Sequence, residues 1–192
     1  MTFININEIN TNYTQIGQGP DVLCLVGWGQ DTRMFEPTQN VLSQYFRVTC
    51  VDYPGFGQSD LMKEAWSVDD YVEWLHDLVI RLNISNPIII AHSFGARVAL
   101  KYNLKYPIKK LVFTGAAGIR PKRSLRMKLR VRVYKVLKKL VQLPILSHYQ
   151  EDLKKAFGSD DYKAISGVLR DSFVKIVNED LSYTLSKVEV PC

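Results

Sequence analysis

From Phe3 to Ile9 apolar and polar side chains alternate, the period of a strand with one face in the core and one in solvent. A second short strand is expected over Asn12 to Ile16, stopped by Gly17-Gln18-Gly19-Pro20. Val22 to Val26 is apolar without alternation, which fits a strand covered on both faces. Phe35 to Tyr45 reads as a helix and Phe46 to Val51 as the next strand, followed by a turn-rich loop from Asp52 to Asp60. Ser67-Val68-Asp69-Asp70 has the form of a capping box with an acid at the third helical position, and Val72, Leu75, Leu78, Val79 and Leu82 line one face of the helix it opens. Ile88 to Ala91 is another buried strand, running into a helix that ends near Tyr106, and Lys110 to Thr114 is a strand again. Alternation of strand and helix in this order predicts an α/β fold, with about six strands in a mostly parallel sheet and helices on both faces.

After Gly118 the pattern is helical alone. Arg126 to Val133 alternates basic and apolar residues, as a strand would. Extended to Val141, however, Lys128, Arg132, Lys135 and Lys139 fall on one helical stripe and Leu125, Leu129, Val136 and Leu140 on another, which favours a helix. Asp152 to Phe157, Asp161 to Val177 and Asp180 to Ser186 continue as shorter helices. Residues 1–118 are therefore expected to form the sheet-containing core and 119–187 a helical insertion, with 188–192 opening a further strand. Apolar residues make up 46% of the 192-residue chain and charged residues 23%, within the ordinary range of a globular protein. No secretory leader is expected from the first twenty residues, no apolar run reaches bilayer length, and three dispersed cysteines make no disulfide framework. These features point to a cytoplasmic protein. The net charge of +6 conceals an asymmetry: residues 120–139 hold ten Lys or Arg and no acid, so the rest of the chain is net negative. One basic segment on an acidic body argues against a nucleic-acid-binding fold, which would spread its cations over a face.

The chemistry is carried by Ala91-His92-Ser93-Phe94-Gly95, where a buried strand passes into a helix through one serine flanked by small residues. That is the form of a nucleophile elbow, with Ala91 where the G-x-S-x-G pattern has Gly. Two further loops accompany it at strand ends: Val26-Gly27-Trp28-Gly29, and Asp52-Tyr53-Pro54-Gly55-Phe56-Gly57-Gln58-Ser59. Together, in this order, the three segments resemble those of the α/β-hydrolase fold superfamily in its single-domain, cap-bearing form. The resemblance implies a serine hydrolase acting on an ester or related carbonyl substrate, without a cofactor or metal. It implies Ser93 as nucleophile, the backbone N–H groups of Trp28 and Phe94 as oxyanion donors, and a cap over residues 119–187. It also places Gly27, Trp28, Met34, Phe56 and Phe94 at the mouth of a pocket for a small, largely apolar substrate.

The same resemblance exposes a gap. The superfamily's acid follows the seventh strand and its histidine the eighth, whereas Val188 to Cys192 only leads into the seventh. His92 is expected to pack beneath the elbow, while His76 lies on a helix and His148 in the cap. Asp52 and Asp60 are expected to organise their loop. The chain as given is thus expected to be catalytically incomplete, truncated before the seventh strand, and Leu111 to Thr114 to be an edge strand. A non-catalytic module binding a small ligand or partner on the same fold is the alternative. The basic segment admits a solvated helical stripe first, a site for anionic substrates second, and contact with an anionic membrane last.

Overall fold

A computed structural model gives the fold over residues 2–119 and 166–192, together with residues 129, 132–134, 136 and 137. Six strands form one sheet: β1 (Thr2–Ile6), β2 (Ile9–Ile16), β3 (Asp21–Leu25), β4 (Arg47–Val51), β5 (Ile88–His92) and β6 (Lys110–Thr114). Their spatial order is β1-β2-β4-β3-β5-β6. The pairs β1–β2 and β2–β4 are antiparallel, and β4, β3, β5 and β6 run parallel. The mostly parallel sheet expected from sequence is present, with β3 at its centre and buried along its whole length.

One strand boundary differs from expectation. The alternation from Phe3 to Ile9 is not a single strand, because Asn7 (φ +50°) and Glu8 (φ +66°) make a two-residue hairpin turn. Two successive positive φ values are the signature of the hairpin turn whose twist suits its strands. The pattern hides the turn because Ile6 and Ile9 are register partners and both are buried.

The helices are α1 (Glu36–Leu42), preceded by a 3-10 turn at Thr32–Phe35, α2 (Val68–Arg81), α3 (Phe94–Asn103), α4 (Gly167–Asn178) and α5 (Ser182–Leu185). The capping box of α2 is fully formed: Ser67 Oγ accepts from the Asp70 amide, and the Asp70 carboxylate accepts from the Ser67 amide. Its buried face holds Val72, Leu75, Leu78 and Val79, as the periodicity indicates, with Tyr71 and Trp74 besides. Cys24 and Cys50 sit opposite each other in β3 and β4 and are buried, whereas Cys192 is exposed.

Helix α4 is fastened to the core from several directions. Buried Ser172 accepts a hydrogen bond from the Trp66 amide at 2.8 Å and donates to the Val168 carbonyl at 2.9 Å. Arg97 of α3 donates to the carbonyls of Ile176 (2.9 Å) and Glu179 (3.0 Å) at the C-terminal end of α4. Guanidinium there satisfies carbonyls that the helix itself cannot. Lys101, with its side chain 8% exposed, pairs with both Asp69 (2.5 Å) and Glu179 (2.6 Å). Beyond α5, the Pro191 carbonyl accepts a hydrogen bond from the Leu111 amide of β6 at 3.0 Å. Expected helices at 152–157 and the first part of 161–177 lie outside the described residues, as does His148. No described helix is long and apolar enough to cross a membrane.

Candidate active site

Strand β5 ends at His92 and α3 begins at Phe94, so Ser93 alone turns the chain between them. Its backbone lies at φ +47°, ψ −107°. That is the mirror image of an ordinary extended conformation, and a residue with a Cβ adopts it at a cost of about 1–3 kcal/mol. A serine serving only as a helix cap has extended backbone and lends its oxygen to an amide of the first turn. Ser93 does neither, since its side chain makes no capping hydrogen bond. Backbone contacts hold the turn instead. The Ser93 amide donates to the Thr114 carbonyl at 3.3 Å, and the Ser93 carbonyl accepts from the amides of Ala96 (3.1 Å) and Ala117 (3.2 Å).

The close approach required at such a turn is visible at Gly95. A Cβ there would lie 2.3 Å from the Leu25 carbonyl oxygen and 2.7 Å from its carbon, so α3 rests directly on β3. The loop after β3 comes alongside. The Gly27 amide is taken by the Gln30 side chain at 2.9 Å, and the Gln30 amide returns to the Gly27 carbonyl at 3.2 Å. Among the described residues, no acceptor takes the amide hydrogen of Trp28 or of Phe94.

The three aromatic residues expected at the pocket mouth do meet. The Trp28 ring packs edge-on against Phe56 (4.7 Å between centroids) and Phe94 (5.3 Å), with Phe173 of α4 completing the cluster at 5.3 Å. Trp28 Nε1 is buried within this cluster, with no acceptor among the described residues. Met34 lies on the 3-10 turn, half-buried against the core and outside the ring cluster. Phe173 and Gln30 were not singled out by sequence. Phe173 belongs to a stretch legible only as helix, and nothing in a glutamine three residues after a glycine announces that it will fold back.

His92 and His76, the histidines among the described residues, are engaged elsewhere. His92 Nδ1 lies 3.1 Å from Thr114 Oγ1, and its ring lies 3.1 Å from where a Cβ on Gly27 would sit and 3.2 Å from one on Gly115. It is wedged under the loops, as expected. His76 stacks on Tyr106 at 3.5 Å between ring centroids and contacts the Tyr102 hydroxyl at 3.4 Å. Asp52 organises its loop: it is 1% exposed and accepts from Asn12 Nδ2 (2.8 Å) and the amides of Thr32 (2.7 Å) and Gln58 (2.9 Å). Asp60 does likewise, accepting from the Asn10 amide at 2.9 Å.

Comparison with known proteins extends this picture. The family model described as alpha/beta hydrolase fold matches residues 20–187. A 1-acylglycerol-3-phosphate O-acyltransferase of Arabidopsis thaliana is 34% identical over 122 residues, covering 57% of this chain and 28% of the relative. A pimeloyl-[acyl-carrier protein] methyl ester esterase of Shewanella woodyi is 41% identical over 92 residues, covering 48% of this chain and 33% of the relative. Among solved structures, an esterase from Exiguobacterium antarcticum superposes with a TM-score of 0.70 at 25% identity, covering 98% of this chain and 78% of that one. The chain spans about a third of the length of the curated relatives it matches. Sheet order, elbow and family match agree, and the chain belongs to the α/β-hydrolase fold family.

Proposed function

We propose that this chain carries the nucleophile half of a serine hydrolase site, with Ser93 attacking the carbonyl of an ester or related acyl substrate. The observation that carries the proposal is the Ser93 backbone. A strained turn between a buried strand and a helix, with a hydroxyl that caps nothing, is the geometry a presented nucleophile requires. The Trp28 and Phe94 amides, both without an acceptor among the described residues, serve as donors to the oxygen that becomes negative on attack. One such donor is worth about 3 kcal/mol of barrier. Gly27, Trp28, Met34, Phe56 and Phe94 border the substrate, and their rings favour an apolar acyl group. Esterase and acyltransferase names among the relatives support acyl chemistry.

In the reaction, Ser93 Oγ bonds to the substrate carbonyl carbon as its proton passes to a base. Collapse of the tetrahedral species then expels the alcohol, and water releases the acid. His76 and His92 are engaged by tyrosines and by Thr114, so neither serves as that base. We assign the base and its acid partner to residues beyond a seventh strand, which the approach of Pro191 to Leu111 on β6 supports as its point of entry. Residues 119–187 act as the cap, with Phe173 on Trp28 as its contact with the site.

Intact-mass analysis after fluorophosphonate treatment tests both halves. Modification is expected at Ser93, absent in Ser93→Ala, slow in the 192-residue chain and fast once a C-terminal continuation supplies the histidine. Modification at another residue overturns Ser93 as nucleophile. Rapid modification of the 192-residue chain overturns the incomplete relay.

A further inference from the structure

The turn that follows β3 is pinned by a single residue on both sides of Gly27. Gly27-Trp28-Gly29-Gln30 is closed by the Gln30 amide on the Gly27 carbonyl at 3.2 Å. Gly29, third of the four, lies at φ +73°, as a type II turn requires there. The Gln30 side chain then folds back, and its Oε1 accepts from the Gly27 amide at 2.9 Å. A Cβ on residue 27 would overlap that oxygen, so the fold-back itself requires glycine. Two peptide units meet at Gly27, and Gln30 holds each by a different group. The peptide before Gly27 is held at its N–H by the side chain, and the peptide after it is held at its oxygen by the Gln30 amide. That second peptide also carries the Trp28 N–H. It is trans and planar, so its N–H points opposite to its C=O. With the Gly27 carbonyl turned toward Gln30, the Trp28 N–H is turned away from it, and no described residue accepts it. Glycine leaves a peptide freer to rotate than any other residue does. The side-chain bond removes that freedom.

We propose that Gln30 is a positioning residue for Trp28, holding its amide in the orientation that meets the oxygen of a reacting carbonyl. This role rests on the hydrolase reading and adds to it the group that keeps one oxyanion donor aimed. Preorganised donors stabilise a developing charge because they need no reorientation as it appears. A peptide free to rotate at Gly27 forfeits that advantage even with Ser93 and Trp28 both in place. Gln30 acts through the peptides it holds rather than by touching the substrate. Gly27 is buried, so loss of the side-chain acceptor also leaves its amide without a partner on the protein or ready access to water.

Two measurements on the full chain test this. The first is hydrogen exchange at the Gly27 amide, followed by nitrogen-15 NMR. Exchange is expected to be about tenfold faster in Gln30→Met, which keeps the length of the side chain and removes its acceptor. Gln30→Glu retains an acceptor oxygen and should exchange as the parent does. The second is the rate at which a phosphonofluoridate modifies Ser93, set against the rate for its thiono analogue, in which sulfur replaces the phosphoryl oxygen and accepts hydrogen bonds poorly. Gln30→Met is expected to slow the oxygen reagent about tenfold and the thiono reagent much less. Damage to the fold alone would slow both alike. Unchanged Gly27 exchange in Gln30→Met overturns the lock. Equal slowing of both reagents, or slowing of neither, overturns the positioning role while leaving Ser93 as nucleophile. A parent that neither reagent modifies at Ser93 overturns the hydrolase reading and this role with it.

Discussion

Replacing Ser93 by glycine is expected to make the protein more stable while removing the proposed nucleophile. The reference is Ser93→Ala rather than the parent, because alanine keeps the Cβ and with it the strain. Loss of the hydroxyl itself should matter little, as it makes no capping hydrogen bond to α3. At φ +47°, ψ −107° the strain on a Cβ-bearing residue is about 1–3 kcal/mol. Glycine occupies this mirror-image region freely, but its greater unfolded-state freedom costs about 0.5–1 kcal/mol. The difference leaves Ser93→Gly more stable than Ser93→Ala by up to about 2.5 kcal/mol, with a midpoint of about 1.2 kcal/mol. For a chain of this length each kcal/mol moves Tm by about 2–4 °C, so the gap is readable by thermal or urea unfolding followed by circular dichroism. A glycine variant no more stable than the alanine variant refutes the claim that the turn stores strain.

Gly95→Ala is expected to cost about 1–3 kcal/mol by overpacking, since its Cβ would meet the backbone of Leu25 rather than a side chain that can swing away; a urea midpoint equal to the parent's would contradict this. Burial of Asp21 opposes its ionisation, but hydrogen bonds from Arg47 and the Ser85 amide outweigh it and hold the carboxyl below its ordinary value. A depressed folded-state value contributes stability above the unfolded-state value and loses it as pH falls through the folded one. Asp21→Asn should therefore cost about 1–3 kcal/mol at neutral pH, with the gap in Tm closing as the medium is acidified below the usual carboxylate range; a gap that stays constant into acid would contradict the assignment.

The parts of this fold written in short-range pattern were legible without coordinates. Strand β3 announces its central place by five consecutive residues with no alternation before Gly27, and the elbow by an apolar strand meeting small residues around Ser93. The hairpin at Asn7-Glu8 was obscured because its flanking isoleucines keep the strand period across the turn. What the pattern cannot carry is pairing between distant elements. Lys101 meets Glu179 across 78 residues of chain, and Trp66 meets Ser172 across 106. Lys101, Glu179 and Ser172 look locally like ordinary surface charges or a small polar residue, and Trp66 takes part only through its backbone amide. Phe173 joins Trp28 for the same long-range reason, so the contact of α4 with the Trp28 ring was invisible even though Trp28 itself was singled out.

Arg97 and Lys101, which fasten α4, are one and two turns along the helix that Ser93 opens. At 1.5 Å per residue they stand about 6 and 12 Å from the elbow along the axis. Lifting α4 away from Trp28 therefore requires parting ions and carbonyls on the flank of α3, not merely separating Phe173 from the rings. The contact of Phe173 with Trp28 is thus steadied by side chains remote from it, borne on the helix that begins at the serine. Loss of the Glu179 carboxylate should loosen the hold of α3 on α4 while leaving the elbow's own hydrogen bonds untouched.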